Sequence, residues 1–276
     1  STPITIDSAG NAWFGFYVTG ANSAGLASGI ARVAPNGTGA WRAASVLAND
    51  STIDRVAMNS APAVANDGNS IYVAVSSAAG QGYLVRVDAA TLSPLARVAL
   101  VDPSAGTPAR ITGDSTSSPT VGPDGDVYFG VLETVRSTHN SRGWLLHFNS
   151  ALDQTKVPGS FGWDNTPSIV PATAVPSYTG PSTYLLAIKY NNYAGSGSGD
   201  GQNRMAIVDP SRSQADRVIP SVQVMAEVLT ILGPTADADH PGGVREWCVN
   251  TGAVDPATRS MLINNEDGKL YRWNLA

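Results

Sequence analysis

One short phrase recurs along the chain, and it constrains the fold more tightly than any other feature. Its clearest copy joins the apolar run Pro119-Thr120-Val121 through Asp124-Gly125 to Val127-Tyr128-Phe129. Asp-Gly between two apolar runs predicts a hairpin, because glycine takes the positive φ that the turn needs. A second copy runs from Pro62-Ala63-Val64 through Asp67-Gly68 to Ile71-Tyr72-Val73. A third opens the chain, with Pro3-Ile4-Thr5-Ile6, a turn ending at Gly10, and Ala12-Trp13-Phe14. In a fourth, Pro167-Ser168-Ile169-Val170, a longer Pro/Ser loop replaces the turn, and Asp267-Gly268 repeats the device near the C-terminus.

Further strand-like runs follow each copy. Residues 82–88 alternate at period two and align with 143–149. Runs at 30–33, 39–42, 94–100, 184–190, 205–209 and 222–232 extend the pattern, and Val, Thr and Ile make the last a strand. A Gly/Ser stretch at 195–201 reads as a flexible loop. In the last repeat, Trp247-Cys248-Val249-Asn250 reads as the first strand, and the chain stops after the third. Pro3, Pro62, Pro119 and Pro167 recur at intervals of 59, 57 and 48 residues. Four short strands per unit at such a period predict an all-β fold, a β-propeller of four-stranded antiparallel blades. About five repeats are recognisable, at roughly 2–50, 58–102, 115–158, 164–232 and 245–276, in a single domain over 1–276. Either residues 1–6 complete the last blade, or the chain is part of a larger ring.

Composition narrows the function classes. Charged residues make up 14% of the chain, against about a quarter in a typical domain, and the net charge is −5. That balance gives no electrostatic case for nucleic acid or an anionic membrane surface. Lysine occurs only at 156, 189 and 269, so Ser, Thr, Asn, Gly and Ala must cover the surface, a pattern read as secreted or periplasmic. Cys248 is the single cysteine, which excludes an intramolecular disulfide and a cysteine-based zinc site. No apolar run reaches the length of a membrane span. The chain begins at Ser1 without Met, as a processed chain or a fragment does.

The Pro119-to-Tyr128 hairpin, together with Gly82-Tyr83-Leu84-Val85-Arg86-Val87-Asp88 and its following Ala89-Ala90-Thr91-Leu92 turn, resembles the quinoprotein-like (PQQ-repeat-like) β-propellers. The resemblance extends weakly over nearly the whole chain and implies architecture rather than activity, since propellers host many unrelated functions. Quinone-dependent dehydrogenases of that family have eight blades, commonly a docking Trp in each, and often a disulfide of adjacent cysteines against the cofactor. Here the six tryptophans are not periodic and Cys248 stands alone. Bound PQQ and dehydrogenase activity are therefore not expected.

Two regions carry the candidate site residues. Trp163, Asp164 and Asn165 precede the fourth repeat, and Arg245, Glu246 and Trp247 precede the fifth, where inter-blade loops reach a propeller face. The tryptophans would stack on a sugar or other flat ligand while the polar residues bond its hydroxyls; the ordinary alternative is that they wedge between blades and tie turns. Asp237, Asp239 and His240 form the densest set of metal-type ligands and would suit Ca²⁺, although their spacing fits no standard calcium loop and a solvated insertion is the plainer reading. His139 lies in a loop with no evident carboxylate partner, and His147 falls on a period-two strand. No nucleophile elbow, P-loop or zinc motif appears.

The reading that follows is an exported, monomeric propeller that binds a protein or saccharide ligand without intrinsic catalysis. It has no catalytic residues and no cofactor, Ca²⁺ being the one candidate ion. The alternatives are a metal-dependent propeller hydrolase or lactonase, which would need these carboxylates to converge, and a carbohydrate-binding propeller.

Overall fold

The structure, a computed structural model, describes residues 1–111 and 117–276, so the first two residues of the third predicted repeat, 115–116, lie outside the described residues. Five sheets follow one another along the chain. The first is β1 (Thr5–Ile6), β2 (Ala12–Phe16), β3 (Gly29–Val33) and β4 (Gly39–Ala43), paired in that order. A five-residue helix, α1 (Ala44–Ala48), follows. The second sheet contains β5 (Arg55–Val56), β6 (Ala63–Val64), β7 (Ser70–Ser76), β8 (Gly82–Asp88) and β9 (Pro94–Ala99). Both β5 and β6 pair with β7, Val56 opposite Val75 and Val64 opposite Ile71, so the inner strand of this blade is present in two pieces.

The third sheet is β10 (Thr120–Val121), β11 (Val127–Val131) and β12 (Trp144–Phe148). Isolated bridges from Leu145 to Gly159 and from Phe148 to Thr155 stand where a fourth strand would run. The fourth sheet is β13 (Ser168–Pro171), β14 (Tyr184–Lys189), β15 (Arg204–Ala215) and β16 (Gln223–Leu232), which makes 222–232 a strand as its composition predicts. The fifth is β17 (Ala253–Asp255), β18 (Ser260–Asn264) and β19 (Leu270–Asn274). The fold class is thus all-β, of the propeller type, with antiparallel blades in chain order.

The fifth sheet corrects the strand assignment at 247–250. Its first strand is β17 instead, and Asp267-Gly268 joins its second and third strands rather than the first two. The turn before β18 is the second recurring device of the chain. Asp255 accepts hydrogen bonds from the Ala257 and Thr258 amides at 3.1 and 3.4 Å, as Asp88 does from Ala90 and Thr91 at 3.1 and 2.8 Å. A carboxylate that ties its own turn in this way replaces water on amides that no strand reaches.

The Asp-Gly turns share one geometry. The Gly68, Gly125 and Gly268 amides donate to the carbonyls three residues back, and their φ angles are +71°, +88° and +80°. The aspartate before each glycine accepts from the amide two residues beyond itself, at 2.9–3.0 Å. Side-chain oxygen and left-handed glycine together close the hairpin, and each needs the other.

Every residue of β7, β11, β12 and β14 is buried, whereas β9 is largely exposed. Central strands covered on both faces carry near-continuous apolar runs, which is why these four show little period-two alternation in burial. The chain divides into two compact units. The first comprises Ser1–Val101, Thr107–Phe129 and Phe148–Lys156, and the second Asp102–Gly106, Gly130–His147 and Val157–Ala276, so the third sheet is shared out between them. The core of the first packs Trp13, Ile30, Leu47, Val73 and Val85, with α1 contributing Ala44, Leu47 and Ala48. The core of the second packs Val170, Leu185, Ile207, Met261 and Trp273 around Trp247.

Unit two also contains a buried polar cluster. His139 does have a carboxylate partner, contrary to the sequence reading. Its Nε2 lies 3.1 Å from Asp216 Oδ2 and its Nδ1 2.9 Å from the Gly143 carbonyl oxygen. The imidazole stacks on Trp144 with ring centroids 3.7 Å apart. Asp216 also accepts from the Ser160 hydroxyl and from the Val218 and Ile219 amides at 2.8 and 2.7 Å. Burial alone would push its carboxyl up, but the bonds from His139, Ser160 and Ile219 hold it well below its usual 3.8. His147 is buried as well, with Nδ1 3.2 Å from the Val157 carbonyl oxygen.

Three substitutions test this architecture. Gly68→Ala is expected to cost about 1–2 kcal/mol in urea denaturation, because nothing crowds the new methyl and only the left-handed φ opposes it. Gly39→Ala, at an ordinary φ and in open space, is expected to be neutral or stabilising by about 0.5 kcal/mol. Asp216→Asn is expected to cost about 3–5 kcal/mol at neutral pH, the penalty of breaking a buried pair. A depressed carboxyl stabilises above its ordinary pKa and loses that contribution as pH falls, so the gap between wild type and variant is expected to narrow only below 3.8.

Candidate functional site

Loops of unit two that are far apart in sequence meet around a cleft of about 700 Å³. The loop between β11 and β12 supplies Arg136, Ser137 and Ser141. The segment before β13 supplies Trp163 and Asp164, β14 ends in Lys189, and the loop after it supplies Tyr193 and Ser196. Glu246 and Cys248 come from the segment before β17.

Asparagine side chains place these segments. Asn165 is buried and its Oδ1 accepts from the Lys189 amide at 3.0 Å, which sets the loop of Asp164 against the end of β14. Asn191 bonds the Trp247 backbone twice, donating to its carbonyl at 3.2 Å and accepting from its amide at 3.3 Å. The Thr166 amide donates to the Asn250 carbonyl at 2.9 Å, and Asn250 Nδ2 donates to the Asp164 carbonyl at 3.4 Å. The run 195–201 is likewise held: Asn140 Oδ1 accepts from the Ser198 amide at 2.7 Å, and Asn192 donates to Asp200 at 2.6 Å. Beneath them Arg142, fully buried, donates to the Asn191 carbonyl at 2.7 Å and lies 4.4 Å from the centre of the Tyr190 ring.

Two of the cleft's charged side chains, Lys189 and Glu246, are desolvated by burial. The Lys189 side chain is 4% exposed, and among the described residues its Nζ reaches only Asp164 Oδ2, at 3.5 Å. Asp164 sits in the left-handed region at φ 53°, is 34% exposed on its side chain, and leaves its buried Oδ1 without a hydrogen-bond partner. Desolvation lowers the Lys189 pKa, against the opposing pull of Asp164. Desolvation also raises Glu246 to about 7, helped by the charge of Glu266 and opposed by Lys189. Burial, with the Glu246 charge behind it, pushes the Tyr193 phenol upward, so it stays a hydrogen-bond donor. The Arg136 guanidinium lies 5.8 Å from the centre of the Trp163 ring.

Of the residues singled out from the sequence, Trp163, Asp164 and Glu246 line the cleft. Asn165 lies behind it as a positioning residue. Trp247 is in the core, edge-to-face with Tyr271 at 5.8 Å, rather than on the cleft wall. Arg245 is 3.8 Å from Asp239. Asp237 accepts from the Asp239 amide at 3.0 Å and faces His240 Nδ1 at 2.8 Å, in an exposed turn. Among the described residues no three His, Cys, Asp or Glu side chains converge as metal ligands.

Sequence reasoning missed Lys189, Tyr193 and Arg136. For Lys189 a signal was present: it is one of three lysines, and it closes an otherwise apolar strand. Such a position predicts a charge carried indoors.

No protein-family model and no curated protein sequence matches the chain. Among solved structures it is similar to the Dos1 propeller, at 14% identity and a TM-score of 0.48, covering 90% of this chain and 52% of that one. It is similar to the hydrazine synthase of Kuenenia stuttgartiensis at 12% identity and a TM-score of 0.48, over 99% of this chain and 71% of that one. It is similar to a europium-containing methanol dehydrogenase at 10% identity and a TM-score of 0.46, over 95% and 51%. The chain thus spans about half the length of the first and third. At these identities and TM-scores the likenesses carry no argument about chemistry. No helix among the described residues is long and apolar enough to cross a membrane.

A carboxyl whose pKa is raised on folding favours the folded state most at low pH and loses that advantage as pH rises through its folded value. Glu246, raised from 4.5 to about 7, is therefore expected to lower the melting temperature of the protein progressively between about pH 4.5 and about pH 7, with no further fall above that. Glu246→Gln is expected to reduce that fall by about 2–4 °C in a pH series of thermal melts. Equal slopes in the two proteins would show that Glu246 is hydrated and ordinary.

Proposed function

We propose that the protein is an exported propeller-type binding protein whose ligand, a small polyhydroxylated molecule of the saccharide class, occupies the cleft of unit two. The observation that carries this reading is the convergence of Trp163, Asp164 and Glu246 with Lys189 and Tyr193 around one cavity. The cavity, about 700 Å³, suits a ligand of sugar size. An indole offers an apolar face to the C–H surface of a sugar ring. Asp164 brings a partly exposed carboxylate to the cleft as an acceptor, and Lys189 and Tyr193 are donors in the same wall. A ligand rich in hydroxyls satisfies both kinds of group at once, and pre-placed polar groups make recognition specific because each is costly to leave unpaired. The low lysine content and the Ser/Thr/Asn/Gly-rich composition support export.

The test is a thermal-shift screen of monosaccharides, disaccharides and sugar acids, with affinities then measured by calorimetry. At least one compound is expected to stabilise the protein, and Trp163→Ala and Asp164→Asn are each expected to weaken its binding by about tenfold. Binding that survives both substitutions unchanged, or a panel with no binder, would remove the cleft as the ligand site.

A further inference from the structure

Lys189 is an unusual residue to find in the wall of an open cleft. It is one of three lysines, the last residue of a strand buried along its whole length, and 96% of its side chain is withdrawn from solvent. Burying an ammonium group is expensive unless hydrogen bonds and a close counter-ion compensate. Neither is well supplied: among the described residues the Nζ has Asp164 alone, at 3.5 Å, and the Phe161 ring 5.8 Å away. Lys189 and Asp164 line the same cavity of about 700 Å³, large enough for a small molecule.

We infer that Lys189 is a carbonyl-capturing amine, whose Nζ condenses reversibly with the aldehyde or ketone group of a small hydroxy-carbonyl ligand in the cleft while Glu246 supplies the proton that releases water. The inference rests on the binding reading above and names the ligand class more narrowly, as an open-chain sugar or a related hydroxy-aldehyde or hydroxy-ketone. In the first step the Nζ lone pair forms the C–N bond and the carbonyl π electrons move to oxygen. Transfer of a proton from nitrogen to oxygen leaves a neutral carbinolamine. The Glu246 carboxyl then protonates the carbinolamine hydroxyl, the C–O bond breaks, water departs, and a protonated imine remains opposite a Glu246 carboxylate. Hydrolysis runs the same steps backwards, and no oxidant or reductant takes part.

The surroundings favour each step. An amine must be neutral to attack, and desolvation in a poorly hydrated pocket is a general way to make lysine nucleophilic. The groups that face Lys189 are Asp164, Glu246 and Cys248, and desolvation outweighs their combined pull toward the charged form. The groups that face Glu246 are Glu266, Asp237, Lys189 and His240, and desolvation with Glu266 keeps it partly protonated near neutrality. A proton donor and acceptor serves best when its pKa lies near the working pH. The cation of the imine is placed where the ammonium was, against Asp164, so the pocket needs no new counter-ion.

The test uses the full chain with D-glyceraldehyde and sodium cyanoborohydride at about pH 6.5, with adducts counted at each lysine by peptide mass mapping. Lys269, with 67% of its side chain exposed, is the internal standard, since an ordinary lysine is only about one part in ten thousand neutral at that pH. Lys189 is expected to label about tenfold faster than Lys269, despite being far less accessible. Glu246→Gln is expected to slow it about tenfold without changing Lys269. Labelling of Lys269 and Lys156 with Lys189 at or below their rate in the unaltered protein would overturn the inference, and no variant is needed to see it. If Lys189 stays unlabelled while a saccharide still binds the cleft in calorimetry, the imine falls and the binding reading stands. If neither happens, both fall together.

Discussion

Backbone groups removed from water need partners, and in unit two most segments that build the cleft lie beyond the strands that would provide them. Asparagine side chains do so instead. Asn191 mimics a strand neighbour by both giving to and taking from Trp247, Asn165 caps the amide that begins the Lys189 peptide, and Asn203 and Asn265 donate to the carbonyls of Val244 and Arg245 at 2.8 and 3.2 Å. An amide side chain suits this work because it carries a donor and an acceptor in one plane, as a peptide does. The cleft therefore has walls of irregular backbone whose positions are determined nearly as firmly as those of the sheets.

That same arrangement sets the electrostatics. The pinned segments carry charged groups to positions where burial desolvates them, Lys189 and Glu246 above all. Lys189 arrives at the end of a strand whose other residues belong to the core, and Glu246 arrives on the residue before Trp247, which is itself a core side chain. Below them Arg142 and the pair His139–Asp216 complete a polar interior in which the named carboxylate and hydroxyl oxygens have identified donors. Such networks are rigid when satisfied and costly when broken, and this one lies directly beneath the loop that carries Arg136 and Ser141.

Much of the fold was readable from the chain alone because its signals are local. The Asp-Gly turns depend on one carboxylate and one glycine within a few residues of each other, and they form where the sequence places them. The strands between them follow from apolar runs of the right length, including 222–232. The assignment of 247–250 as a strand failed because an apolar run reports burial, not pairing. Trp247 and Val249 are buried, but their segment is held by side chains. Within the site, Trp163, Asp164 and Glu246 could be singled out as loop residues next to repeats. Lys189, Tyr193 and Arg136 could not be joined to them by any short-range pattern.

The sequence by itself determined the β-strand repeat, the turn chemistry at Asp88, Asp124 and Asp267, and which residues were too apolar to be left in water. Only the tertiary structure decided that His139 meets Asp216, that Asp164 meets Lys189, and that Glu246 shares their cleft. The physical reason is sequence distance. The first of these pairs is 77 residues apart and the second 25, and at such separations proximity is a property of how strands stack, not of any local preference. Burial then converts that proximity into altered acidity, which no residue carries in its own chemistry.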